Sequence, residues 1–98
     1  MRHLIDKCRN MHGPLSEDLK ARLQAVIDNP TIETWEDAHS IIIQTEPKEM
    51  TLWQAWIAID SDAPDVGRRT DFRGNVIREW ERIPSSFTLL RALQFATE

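Results

Sequence analysis

TWEDAHSIIIQTEPKEMTLWQAWIAI, residues 34–59, holds three of the chain's four tryptophans and its run of three isoleucines. Trp35, Ala38, Ile41, Ile42 and Thr45 recur at steps of three and four, so they share one side of a helix. Thr34 is placed to cap that helix, with Glu36 and Asp37 near the positive end of its dipole. Ile41-Ile42-Ile43 is also the strongest strand candidate. Three residues are few for a strand and the preceding periodicity is helical, so the expected assignment is helix as far as Glu46-Pro47. Thr51 and Gln54 then form a capping box. The helix that follows is apolar over about half its circumference through Leu52, Trp53, Trp56, Ile57 and Ile59. A stripe that broad marks a central helix, or one that also meets a partner.

Upstream, Leu4, Ile5, Cys8 and Met11 or His12 fall on one face of a helix over residues 2–12, stopped by Gly13-Pro14. Ser16 caps a second helix with the stripe Leu19, Leu23, Val26 and Ile27, ended by Asn29-Pro30. Downstream, Asp60 to Gly67 reads as the longest loop. Thr70 or Asp71 caps a fifth helix with Phe72, Val76, Trp80 and Ile83 on one face, although Gly74 inside it costs about 1 kcal/mol against alanine. Pro84 ends it. Ser85 or Ser86 caps the last helix, in which Phe87, Leu90 and Leu93, with Leu89 and Ala96, are expected to face inward. There is no internal repeat and no low-complexity segment.

These readings together predict an all-α fold: one domain over residues 1–98, a bundle of five or six short helices in orthogonal or mixed packing. The helices are too short and unequal for a regular four-helix bundle. Such helices are unstable alone in water, so the fold depends on pooling their apolar stripes.

Ninety-eight residues can enclose a modest core without a disulfide or a metal. One cysteine, Cys8, excludes an internal disulfide framework and fits a reducing compartment. The first residues carry charges that interrupt any apolar run, and no stretch approaches the length of a membrane span, so the expected location is the cytoplasm. The net charge of −4 is unevenly spread. Residues 24–66 carry Asp28, Glu33, Glu36, Asp37, Glu46, Glu49, Asp60, Asp62 and Asp65 against Lys48 alone, whereas both ends are mildly basic. In most proteins such blocks neutralise one another in the fold. The sharper alternative is an acidic face for a basic partner.

Few residues offer chemistry. His3, Cys8 and His12 are zinc-ligand types, but His39 lies on another helix and nothing completes a set of four. Asp60, Asp62 and Asp65 resemble a calcium loop only in composition: the fifth, sixth and twelfth positions lack the required residues. There is no Gly-x-Ser-x-Gly elbow, zinc-protease His-Glu pair or glycine-rich phosphate loop. The expectation is therefore no enzyme, no metal and no cofactor.

Binding has more room. The leading expectation is a protein-interaction or regulatory domain, of the size and plainness of a small bacterial or phage accessory protein. Its partner, another protein or a second copy in a homodimer, would meet a helix surface formed by Trp53, Trp56 and Ile57 with the neighbouring acids Glu46 and Glu49. The alternative is a DNA-binding regulator. Arg68, Arg69, Arg73 and Asn75 cluster at a helix start suited to the major groove, and Arg78 and Arg82 lie where phosphates would be touched. The acidic total and the interspersed Glu79 and Glu81 oppose it. A third reading is an acidic mimic of nucleic acid built on residues 28–65, for which −4 is a weak net charge.

Overall fold

The computed structural model describes residues 2–46, 49–63, 69–70, 73, 76–77 and 82–98, with the backbone alone at 2, 69–70 and 76–77. Five helices alternate with short antiparallel strand pairs among these residues: α1 (Arg2–Lys7), β1 (Arg9–Asn10), β2 (Gly13–Pro14), α2 (Glu17–Asp28), α3 (Ile32–Ala38), β3 (Ile42–Gln44), β4 (Met50–Thr51), α4 (Leu52–Ile59), β5 (Arg69–Thr70), β6 (Val76–Ile77) and α5 (Ser86–Thr97). The fold is mixed, and this corrects the all-α expectation in three places.

The first helix stops at Lys7 instead of running to residue 12. Arg9 then pairs with Pro14 and Asn10 with Gly13. The Asn10 carboxamide oxygen accepts from the His12 N–H at 2.8 Å, a local bond typical of asparagine in turns. Gly13 takes φ 109°, which only glycine adopts freely. Gly13-Pro14, expected as a helix stop, is thus the return strand of a small hairpin.

The second correction concerns the isoleucines. α3 ends at Ala38, and β3 pairs with β4 through Ile42 to Thr51 and Gln44 to Met50, with an irregularity between the two pairs. Ile41 and Ile43 are buried while Ile42 and Gln44 are half-buried, the period of a strand. β-Branched side chains suit that backbone, and here their preference overrides the helical spacing. α3 also starts earlier than expected. Thr31 is its cap, and Thr34 is the third residue of a reciprocal capping box.

The third is the fifth helix. Arg69 pairs with Ile77 and Thr70 with Val76 in an antiparallel ladder where a helix was expected. Phe72 and Trp80 of the expected stripe lie outside the described residues.

The remaining boundaries follow the capping chemistry. Ser16, Thr51 and Ser85 each accept a bond from the N–H three residues on. Lys20 of α2 reaches Asp6 of α1 at 3.2 Å, and the Ser86 hydroxyl donates to the Ile27 carbonyl oxygen, joining the start of α5 to the end of α2. One apolar cluster forms the core. α5 is central to it, packing most extensively on α4 and also on α1, α2 and β3. Its buried row is Leu89, Ala92, Leu93 and Ala96. The small alanines there and at Ala55 of α4 let helix backbones approach closely. None of the helices among the described residues is long and apolar enough to cross a membrane.

Candidate functional site

α4 is anchored at its start by side-chain and backbone hydrogen bonds. Its capping box is complete: Thr51 Oγ1 accepts from the Gln54 N–H at 3.1 Å and Gln54 Oε1 from the Thr51 N–H at 2.8 Å. A helix start also leaves its first N–H groups without intrahelical partners. Here Leu52 N–H donates to the Ile41 carbonyl at 3.1 Å and Trp53 N–H to the His39 carbonyl at 3.0 Å. The end of α3 therefore completes the beginning of α4.

The five residues expected to form a partner surface separate into three environments. Trp56 is wholly buried. Its indole meets Trp35 edge-on at 5.3 Å, and its N–H donates to Asp60 Oδ2 at 3.0 Å. Trp56 is therefore core and offers no surface. Trp53 is half-buried, its ring 6.3 Å from the His39 imidazole. Ile57 is 36% exposed. Glu46 and Glu49 are exposed on the β3–β4 connection. Glu46 also borders an open depression of about 420 Å³ between the β1–β2 hairpin, β3 and the end of α5, lined among others by Lys7, Arg9, Met11 and Thr97.

Asp60 organises the far end of α4. Its Oδ1 accepts from the Asp62 N–H at 3.0 Å, and the Arg82 guanidinium lies 3.4 Å from Oδ2 and 5.4 Å from the Trp56 ring centre. The Asp62 backbone bond first, then the Trp56 indole and the Arg82 cation, hold the Asp60 carboxyl below the usual carboxylate range. A lowered carboxyl contributes stability above its unfolded pKa, near 4, and loses it as pH falls through the folded value. Asp60→Asn is therefore expected to melt below the wild type at neutral pH, with the deficit shrinking as pH falls below about 4. Thermal melts of both proteins across that range check this, and a deficit independent of pH would show that the charge contributes nothing.

The other candidates fall apart spatially. Cys8 is in the core, whereas His12 is exposed in the hairpin turn. Among the described residues no three His, Cys, Asp or Glu are grouped to hold a metal ion. Of the proposed DNA-contacting set, Arg68, Asn75 and Arg78 lie outside the described residues. Arg69 is in strand β5, Arg73 is exposed in a turn and Arg82 is engaged by Asp60. The helix start that was to present Arg69 and Arg73 to a groove is replaced by the β5–β6 ladder.

Sequence reasoning missed the outer face of α5. Phe87, expected inside, is 71% exposed, and Phe95 is 44% exposed. Arg91 lies between them with its guanidinium 6.0 Å from the Phe87 ring. The signal was present: Leu89, Ala92, Leu93 and Ala96 follow the i, i+3, i+4, i+7 rule, and Phe87 falls on the opposite side. A second signal is charge. The eight residues of α4 contain no ionisable side chain and the twelve of α5 only Arg91, in a chain that is 29% charged. Compared with known proteins, the chain matches no family model, no curated relative and no solved structure.

Proposed function

We propose that this is a non-enzymatic protein-interaction domain, working in the reducing cytoplasm that its lone thiol suits, and that it meets its partner on the outward residues of α4 and α5. The observation that carries this reading is the near absence of charge from two helices whose outer sides reach solvent. Interface centres are depleted of Lys, Glu and Asp and enriched in aromatic residues and Arg. Phe87, Phe95, Arg91 and Ile57 match that composition. Trp53 is a poorer probe than expected, because its packing on His39 makes truncation alter stability as well as surface.

Ile57→Lys and Phe87→Ser are the cleaner variants. Surface changes of this kind shift stability by about 0.5 kcal/mol or less. Both should melt within a few degrees of the wild type and lose the partner that the wild type retains in affinity capture. Ala21→Lys, on the exposed side of α2, should keep it. Equal capture by all three would remove the α4–α5 surface from the proposal. Fluorescence anisotropy with duplex DNA separates the principal rival: the interaction reading expects no binding even at low salt, whereas salt-sensitive binding would replace it with nucleic-acid recognition.

A further inference from the structure

We propose that the outer stripe of α5 seats an amphipathic helix of a partner protein whose apolar face carries one carboxylate, received by Arg91. This rests on the interaction reading above and names the chemistry of the partner.

Phe87, Arg91 and Phe95 recur at i, i+4 and i+8, so they form one row on the side away from the core. The row is about 12 Å long at 1.5 Å per residue, the length of a little over two helical turns. Exposed Gln94 and half-buried Leu90 flank it. A row of this width and length matches an amphipathic helix, which binds through side chains at i, i+3, i+4 and i+7.

Arg91 specifies the charge. Arg22 of α2 is neutralised by Asp18 at 3.1 Å one turn away. Around Arg91 the corresponding positions are Phe87, Thr88, Gln94 and Phe95, none of them acidic. No carboxylate lies within ion-pair distance of Arg91 among the described residues. Its guanidinium lies over the Phe87 ring, which places a planar cation on the stripe. Covering this guanidinium with apolar atoms alone would strand a buried charge, which is strongly unfavourable. A partner that covers the phenylalanines must therefore bring an anion to Arg91, and the bidentate match of guanidinium to carboxylate fits a Glu or Asp within its apolar face.

The same residue argues against a second copy. In an isologous dimer the same patch faces itself. Arg91 lies near the middle of α5, so two antiparallel α5 helices packed face to face would oppose two guanidinium groups. A lipid surface is disfavoured too, since α5 supplies one cation and membrane-surface helices carry several.

The test uses two fluorescein-labelled amphipathic helical peptides of four turns. They are identical except for Glu or Lys at the centre of a leucine-rich face. The intact protein should bind the Glu peptide at least about tenfold more tightly than the Lys peptide, since like charges across an interface are strongly penalised. Arg91→Glu should reverse the order, and Phe87→Ser should weaken both, with melting temperatures verifying that each variant is folded. If the two peptides bind equally but Phe87→Ser still abolishes binding, the carboxylate assignment falls while the α5 surface stands. Failure of both peptides to bind overturns the proposal, and the capture experiment above then decides the broader reading separately. Sedimentation that shows a dimer dissolved by Phe87→Ser, or Phe87-dependent binding to phosphatidylserine vesicles, would also overturn it.

Discussion

Trp56→Ala is expected to lower the melting temperature by at least about 12 °C, the largest effect of any single truncation considered. A buried tryptophan removes some 200 Å² from water. Truncating a large core aromatic costs about 3–5 kcal/mol, because the cavity collapses only partly. Each kcal/mol shifts the midpoint of a domain of this size by about 4–8 °C. Trp56 gives up more than area. Its edge-on contact with Trp35 and its bond to Asp60 disappear together, leaving Asp60 with Arg82 and the Asp62 N–H. Trp56→Phe should be milder, since it keeps an aromatic ring beside Trp35 and loses chiefly the indole hydrogen bond, worth about 1 kcal/mol. Differential scanning calorimetry of the three proteins checks the order. An alanine variant that melts with the wild type would return Trp56 to the surface.

Cys8 should resist alkylation at pH 8 by a factor of about a thousand relative to the unfolded chain. The thiol is fully enclosed and its S–H donates to the Leu4 carbonyl at 3.4 Å. Burial first, and the negative charge of Asp6 second, push its pKa from 9.0 up to about 12. The thiolate is the reactive form, so three pH units remove about that factor before access is considered. Iodoacetamide labelling followed by mass spectrometry, with and without denaturant, measures it. The same shift makes a stability prediction. A raised pKa favours the neutral thiol, so its contribution is complete below pH 9 and is lost as pH rises from 9 through 12. Near pH 10.5 the loss is about 2 kcal/mol. Chemical denaturation at pH 8 and 10.5 should therefore show the wild type weakening more than Cys8→Ala, in which the other basic groups titrate alike. Rapid labelling of the native protein, or parallel losses in both proteins, would contradict the burial.

The parts of this architecture that a reader of the sequence recovers are those encoded within one turn of chain. Ser16, the Thr51–Gln54 box, Ser85 and the Asn29-Pro30 stop place α2, α4 and α5 nearly correctly. The strand pairs were not recoverable in the same way. A strand of two residues has no period of its own and exists because of what lies across from it, as Arg9 does for Pro14. Ile41–Ile43 carried a real β-branched signal, but Trp35, Ala38 and Ile41 already fitted a helix, and nothing local marks Ser40 as the break.

Which side chains of α4 and α5 reach solvent was legible only in part. The broad stripe of α4 contains one ideal set, Leu52, Ala55, Trp56 and Ile59, which puts Trp56 inside and leaves Ile57 at the edge. The same geometry applies to α5. There Phe87 was grouped with Leu90 and Leu93, but the buried set is Leu89, Ala92, Leu93 and Ala96, which leaves Phe87 and Phe95 outside. In both helices the i, i+3, i+4, i+7 spacing picks out the buried set.

The two hydrogen bonds that fasten α4 to the end of α3 also govern how the molecule can be watched. With no tyrosine, near-ultraviolet light is absorbed almost wholly by indoles, and Trp35, Trp53 and Trp56 all belong to this one fastened segment. In a Trp80→Phe variant, tryptophan emission becomes a local gauge of α3 and α4, and a partner settling on the outer stripe of α5 can leave the spectrum nearly unmoved. A dye placed on α5 itself would see what the protein's own light does not.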